Sequence, residues 1–253
     1  MQLEGSNRKV TQKMTKIVWA GDSTVAFNSF KTYPQTGMGQ ALPRFLKKEI
    51  GLLNLAVNGR STKSFIDEQR MVEAYFALEE EDIFLIQFGH NDKKKEDPTR
   101  YTSAYGSYQD NLTKFVNVAR NKKAFPVLVT PIVRREASDG ELINTHEDYP
   151  SAMRDLAASL DVALIDLTAL SKELVESYGI EKSKRFYMNF EAGLYPNYLQ
   201  GLNDNTHLRP CGALVFASLL AKGLWNLGGP YRALLHESIA ECNDLDYKNF
   251  LEK

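Results

Sequence analysis

Five short apolar runs rich in β-branched residues recur along the chain, at residues 16–20, 52–57, 82–88, 125–130 and 162–167. Each has the length and composition of a strand. Between them the pattern shifts to helical spacing or strong helix formers, over residues 38–50, 105–120 and 149–160. Residues 161–167 close the strand series, and residues 170–178 predict a helix behind them. Periodicity is then lost over residues 181–205, an irregular stretch with aromatic residues, Gly and Pro, before residues 211–225 resume a strongly apolar helical pattern. A structureless stretch of that length inside one domain is uncommon and often functional. Strands alternating with helices predict right-handed parallel βαβ units with helices on both faces of a sheet. No internal repeat, low-complexity tract or linker interrupts the series. Residues 15–253 therefore read as a single domain, preceded by a loose polar leader over residues 1–14.

In an open parallel sheet the ligand crevice lies beyond the carboxyl ends of the strands. That rule selects Gly21-Asp22-Ser23-Thr24 after the first strand, Asn58-Gly59-Arg60-Ser61 after the second, Gly89-His90-Asn91-Asp92 after the third, and residues 131–135 after the fourth. A serine hydroxyl placed there is a weak nucleophile until a base takes its proton, and that base needs a third group to fix its tautomer. The chain has four histidines. His90 falls in a turn after strand three, His146 in a polar loop and His236 in a late helix. His207 follows a carboxylate, Asp204, three residues earlier. In a turn or a first helical turn, that spacing lets Asp204 fold back onto Nδ1 of His207, leaving the other nitrogen for Ser23. The alternative is that Asp204 or Asn205 caps the helix starting near Arg209-Pro210 and His207 is a surface residue. Acyl transfer also needs donors for a developing oxyanion. The backbone N–H groups of Ser23 and Gly59 and the Asn91 amide are the candidates. Gly59 supplying positive φ in a turn and Asn91 forming an Asx turn are the purely structural readings.

Composition narrows the classes of partner. The 253 residues are 43% hydrophobic and 25% charged, an ordinary globular balance. Lys plus Arg is 31 against 32 for Asp plus Glu, so a net charge of −1 gives no global attraction to nucleic acid or to an anionic membrane. Cys211 and Cys242 lack the spacing of a zinc site. His90, Asp92 and His146 match no standard zinc pattern either, and no phosphate-cradling glycine motif is present. No signal-like apolar run follows the polar start, and no later segment is read as reaching the ~18 residues of a spanning helix. The expectation is a cytoplasmic protein, or a secreted one whose signal has been removed.

Taken together, Gly21-Asp22-Ser23-Thr24, the stretch from Asn54 through Asn58-Gly59-Arg60-Ser61, Gly89-His90-Asn91-Asp92 and Asp204-Asn205-Thr206-His207-Leu208 resemble the four sequence blocks of the SGNH, or GDSL-type, esterases, in that family's order. Asn58-Gly59-Arg60-Ser61 through Phe65, the Gly-His-Asn-Asp form of the third block, and Asp148-Tyr149-Pro150-Ser151-Ala152-Met153 are most similar to its rhamnogalacturonan acetylesterase group. Thr24 stands where many relatives have Leu, as is common in that group. The resemblance implies a flavodoxin-like three-layer α/β/α sandwich on a five-stranded parallel sheet, with no metal or organic cofactor. It also implies Ser23 as nucleophile, His207 as general base, Asp204 as its orienting carboxylate, and Ser23, Gly59 and Asn91 as the oxyanion hole. The expected activity is carbohydrate O-acetyl ester hydrolysis on an acetylated oligo- or polysaccharide, with the oligomeric state open. A hydrolase of small acyl esters and a catalytically silent sugar-binding module are the alternatives.

Substrate contacts are expected from cations and aromatic residues near the rim. Arg60, Lys63, Lys93 and the pair Arg134-Arg135 could face an acidic sugar polymer, since arginine pairs with carboxylates through a bidentate fork. Tyr33, Tyr187, Tyr195 and Tyr198 could supply stacking surface, and Arg60, Tyr33 and Tyr198 are selected as substrate-binding candidates. Lys93-Lys94-Lys95 reads as a solvated loop, and Glu79-Glu80-Glu81-Asp82 as a solvated helix end.

Overall fold

The strand-forming runs align side by side. In the computed structural model, which describes residues 15–240, β1 (Lys16–Gly21), β2 (Gly51–Asn54), β3 (Ile83–Gln87), β4 (Phe125–Val129) and β7 (Ala163–Ile165) form one parallel sheet in the order β2-β1-β3-β4-β7. Two antiparallel pairs lie outside it: β5 (Ala137–Ser138) with β6 (Glu141–Leu142), and β8 (Tyr187–Phe190) with β9 (Leu202–Leu208). The leader at residues 1–14 and Cys242 lie outside the described residues.

Because successive side chains on a strand point to opposite faces, each central strand feeds two cores. Ile17, Trp19, Ile83, Leu85, Val127, Val129 and Ile165 join one. Val18, Ala20, Phe84, Ile86 and Leu128 join the other. The first is covered by α1 (Met38–Ala41), α6 (Leu167–Tyr178) and α8 (Pro210–Leu227), and the second by α2 (Thr62–Asp67), α3 (Arg70–Ala77), α4 (Gln109–Asn121) and α5 (Tyr149–Leu160). Short helices α7 (Ile180–Ser183) and α9 (Gly229–Ala233) complete the series. This is the expected three-layer sandwich.

Several boundaries differ from the sequence pattern for identifiable reasons. The helix expected over 38–50 stops at Ala41 and tightens into a 3₁₀ turn at Leu42–Arg44, where Pro43 lacks a backbone donor. The strand expected over 52–57 ends at Asn54, whose side chain leaves the ladder: Nδ2 donates to Val25 O (2.9 Å) and Oδ1 accepts from Ala56 N (3.0 Å). Regular helix over 105–120 begins only at Gln109, because Gly106 adopts φ −137°, ψ −112°. The last sheet strand is confined to Ala163–Ile165, and α6 begins at Leu167 rather than Leu170, since Asp166 caps it by accepting from Ala169 N (3.2 Å). Asp82 is not a solvated helix end: it is buried, accepts from Lys16 N (3.1 Å) and pairs with Lys16 Nζ (2.7 Å), tying the start of β1 to β3. His236 lies not in a helix but in extended backbone capping the 3₁₀ turn Glu237–Ile239.

Residues 181–205, expected to be irregular, hold α7, a 3₁₀ turn and most of the β8–β9 hairpin. Helix α8 packs against that hairpin. It is the one described helix long and apolar enough to cross a membrane, contrary to the expectation that no segment is, yet 56% of it is buried against the rest of the fold. Its approach is set by Gly212, where a Cβ would stand 1.9 Å from Phe186 O, just before β8.

Gly212→Ala is therefore expected to cost about 3 kcal/mol, because the clash is with backbone and cannot be relieved by a rotamer change. Urea denaturation reports it as a lowered midpoint at constant slope. An unchanged midpoint would show that α8 does not depend on this contact.

Candidate active site

The first rim segment is folded by its own aspartate. Asp22 Oδ1 accepts from Thr24 N (2.9 Å) and Thr24 Oγ1 (2.8 Å), and Asp22 O accepts from Val25 N (3.1 Å) and Ala26 N (3.0 Å). The short side chain of Asp suits such a turn. Thr24 O accepts from Met38 N (2.8 Å), fastening the turn to α1. Ser23 is thereby held at the end of β1 with only 7% of its surface exposed.

The second component comes from β9. Asp204 Oδ1 accepts from Thr206 N (2.8 Å) and His207 N (3.0 Å), while its Oδ2 lies 2.6 Å from His207 Nδ1. His207 Nε2 lies 3.0 Å from Ser23 Oγ. Burial pushes the Asp204 carboxyl up, but hydrogen bonds from His207 and Thr206 together with the His207 charge outweigh it, so the group sits below the usual Asp range. It is a carboxylate at neutral pH. An ionised Asp204 makes Nδ1 the protonated nitrogen, which leaves Nε2 with the lone pair that accepts from the Ser23 hydroxyl. The Asp204 to His207 spacing thus acts within an irregular strand rather than in a helical turn, and Arg209, not Asp204 or Asn205, is the cap residue of α8.

Gly59 and Asn91 follow the ends of β2 and β3. Gly59 has φ +79°. Asn91 Nδ2 donates to Arg60 O (3.1 Å), which sets the amide beside the segment that carries Gly59. Asp92 lies beneath them, fully buried, with Oδ1 accepting from Thr62 N (3.0 Å), Thr62 Oγ1 (2.5 Å) and Thr102 Oγ1 (3.1 Å). Burial dominates those bonds and pushes the Asp92 carboxyl up to about 7, and pushes Asp22 up to about 6 against its bonds from Thr24. His90 Nδ1 lies 3.0 Å from His146 Nε2. Burial lowers both imidazoles, His146 to about 3 with help from Arg134 and Lys93, so the two form a neutral pair in which one ring donates to the other. Among the described residues no group of three or more His, Cys, Asp or Glu side chains is arranged to hold a metal ion.

The expected substrate contacts fare unevenly. Arg60 is engaged by Glu68 (3.0 Å) and Asn58 O (2.8 Å), and Lys63 by Asp67 (2.8 Å). Arg135 is 7% exposed, and its guanidinium is engaged by Asn205 Oδ1 (2.6 and 3.0 Å) and Ile180 O (3.1 Å), bracing β9. Arg134 is half-buried and donates to His90 O (3.1 Å). Tyr187 is not a stacking surface but a core residue whose hydroxyl donates to Val133 O (3.0 Å). Tyr33 is 45% exposed, and the Tyr198 hydroxyl donates to Thr32 O (3.3 Å). The Asp22 turn and the Thr62–Asp92–Thr102 cluster did not emerge from the sequence pattern. An Asp followed two residues later by Thr is the signal that could have found the first.

Residues 20–199 match the model of the GDSL-like lipase/acylhydrolase family. The chain is 40% identical to the rhamnogalacturonan acetylesterase RhgT of Bacillus subtilis (strain 168) over 222 residues, 87% of this chain and 94% of that protein. It is 38% identical to a probable rhamnogalacturonan acetylesterase, YesY, of the same organism, over 85% of this chain and 94% of the relative. Among solved structures, the crystal structure of Bacillus subtilis YxiM has the same fold, with a TM-score of 0.73 at 24% identity over 85% of this chain. The present chain spans 57% of that longer protein.

The raised carboxyls have a consequence for stability. A carboxyl whose folded pKa exceeds its unfolded value holds its proton longer in the native state, so its contribution is complete below about 4 and is lost as pH rises through the folded value. For Asp92 the window runs from its ordinary 3.8 to about 7. Asp92→Asn keeps an acceptor toward Thr62 and Thr102 but cannot ionise, so its stability should fall less than that of the wild type between pH 4 and pH 8. Urea melts across that range decide it, and parallel curves for the two proteins would mean that Asp92 does not titrate there.

Proposed function

The chain belongs to the GDSL-like lipase/acylhydrolase family, and from that premise we propose that it is a serine esterase that removes acetyl groups from an acetylated glycan of the rhamnogalacturonan type. The observation that carries the chemistry is the unbroken series from Ser23 Oγ to His207 Nε2 at 3.0 Å and from His207 Nδ1 to Asp204 Oδ2 at 2.6 Å. The substrate class is supported by the two relatives named as rhamnogalacturonan acetylesterases, each matched over 94% of its length.

Ser23 Oγ attacks the acetyl carbonyl carbon while its proton passes to His207 Nε2. Asp204 holds the imidazole in the tautomer that can accept this proton and stabilises the imidazolium that results. The oxyanion of the tetrahedral intermediate is received by the backbone N–H groups of Ser23 and Gly59 and by the Asn91 amide. That amide has two N–H donors, and the one spent on Arg60 O fixes its plane and leaves the other for the oxyanion. Collapse breaks the bond to the sugar oxygen, which leaves with the proton from His207. Water, deprotonated by His207, then attacks the acetyl-serine and releases acetate.

Ser23→Ala should lower kcat by at least about 10⁴-fold, and Asp204→Asn, which misorients the imidazole, by about 10³- to 10⁴-fold. Asn91→Ala should lose about 10²- to 10³-fold in kcat with little change in KM, since an oxyanion donor acts chiefly in the transition state. Acetate release from acetylated rhamnogalacturonan, measured beside acetylated xylan, is the assay. A serine-directed phosphonate should label Ser23, as seen by peptide mass spectrometry. A wild-type protein that hydrolyses p-nitrophenyl acetate but frees no acetate from either glycan would sink the glycan reading, whereas full activity in Ser23→Ala would sink the mechanism.

A further inference from the structure

Two loops each grow from the chain segment that carries one member of the Ser23–His207 pair. Residues 27–34 follow the Ser23 turn, and residues 191–201 form the tip of the hairpin whose second strand bears His207. These loops hold Phe27, Phe30, Tyr33, Leu194 and Leu199, exposed by 75, 92, 45, 57 and 68% respectively. They account for five of the eleven large hydrophobic side chains exposed among the described residues. A concentration of this kind marks a binding surface, whereas scattered exposed apolar residues do not.

The patch is rigidly built. Asn197 Nδ2 donates to Phe30 O (2.7 Å) and Tyr33 O (2.9 Å), the Tyr198 hydroxyl donates to Thr32 O, and the Tyr33 and Tyr195 rings meet edge to face at 5.8 Å. The start of the first loop is fastened at Asn28, which exchanges backbone bonds with the Gln40 amide (2.9 and 3.1 Å) and accepts from Asn58 Nδ2 (3.1 Å), the neighbour of Gly59. These bonds tie the two loop backbones to one another and to the segment just before Gly59. None of the bonds that fix them uses the aromatic rings of Phe27 or Phe30.

We propose that Phe27 and Phe30, flanked by Tyr33, Leu194 and Leu199, form a stacking platform for the pyranose rings of the glycan main chain. This rests on the proposed acetylesterase activity. An acetyl group has one methyl and needs no extended apolar surface, so a platform of this extent serves the alcohol side of the ester. A pyranose presents an apolar C–H face and polar edges, and stacking on an aromatic face buries the first while the hydroxyls stay in water. The apolar side chains here stand out at the surface, as ring stacking requires.

Phe27→Ala and Phe30→Ala test the platform, with Phe76→Ala as a control, since Phe76 is comparably exposed (76%) on α3. In each platform variant the ratio of kcat/KM on an acetylated rhamnogalacturonan oligosaccharide to that on p-nitrophenyl acetate should fall about tenfold, the gain of one aromatic contact. Calorimetric affinity for the same oligosaccharide after deacetylation should fall by a similar factor, and Phe76→Ala should alter neither. Unchanged ratios and affinities in both platform variants overturn the proposal. So does a wild-type dimer in sedimentation that dissociates in Phe30→Ala, with glycan affinity preserved, because the patch then belongs to a second copy of the chain. Should the wild type release no acetate from any glycan, the acetylesterase reading fails by itself, and the calorimetry still decides whether the platform binds sugar.

Discussion

A hydrogen bond of 3.0 Å between Ser23 and His207, residues 184 apart in sequence, is the constraint on which the rest depends. Hydrogen bonding weakens steeply once distance or angle departs from ideal, so two remote segments must be fixed to within a few tenths of an ångström. The serine side is fixed locally, by a buried aspartate that folds its own turn and by a threonine carbonyl bonded to α1. The histidine side has no strand of the main sheet under it and is fixed at longer range. Arg135 grips Asn205 two residues before His207, Arg135 N also donates to Asn205 O (2.9 Å), and Thr36 N donates to Leu208 O (2.9 Å), so the strand is pinned on both sides of the imidazole.

The two ends are joined through the core that lies under them. Trp19 and Ile17 of β1 share a cluster with Tyr187 and Leu208 of the hairpin and with Phe216 of α8. The strand that leads to Ser23 and the hairpin that carries His207 thereby share one core with that helix. The close approach of Gly212 to Phe186 brings that helix near enough for the hairpin to reach the rim. Loops usually carry function on a rigid scaffold, and here the scaffold extends into a small second sheet of its own.

The main sheet was legible because its inner strands β1 and β3 are buried on both faces and, like their neighbours, read as short, uninterrupted apolar runs. The four rim segments followed from that reading, since each strand end is also a turn. What escaped was set by tertiary contacts. Asn54 ends β2 with its amide on Val25 O, and Arg135 is buried with its guanidinium on Asn205, and neither partner is near in sequence. The hairpin was hidden for a different reason. Its second strand, Leu202–Leu208, is polar and only partly buried over most of its length, and it pairs with β8 through a register shift, so it lacks the alternation that marks a strand.

The carboxyls around the site divide by environment, and the division suits the chemistry. Asp204 keeps 27% of its side chain in contact with water, accepts three hydrogen bonds and stays ionised, as the imidazolium of the proposed mechanism requires. Asp22 and Asp92 are wholly buried beneath the nucleophile and the Asn91 segment, and burial raises both toward the neutral form. Raising Asp92 to about 7 and Asp22 to about 6 lessens, without abolishing, the negative charge they hold at neutral pH, where the Asp22 group is still mainly ionised. What negative charge remains at those depths is little screened by solvent. Each buried carboxyl acts through one oxygen as an acceptor for backbone and hydroxyl donors, shaping a turn. Two aspartates thus build the rim from within the core, while the carboxylate in direct contact with the imidazole of His207 is the third, the one that faces water.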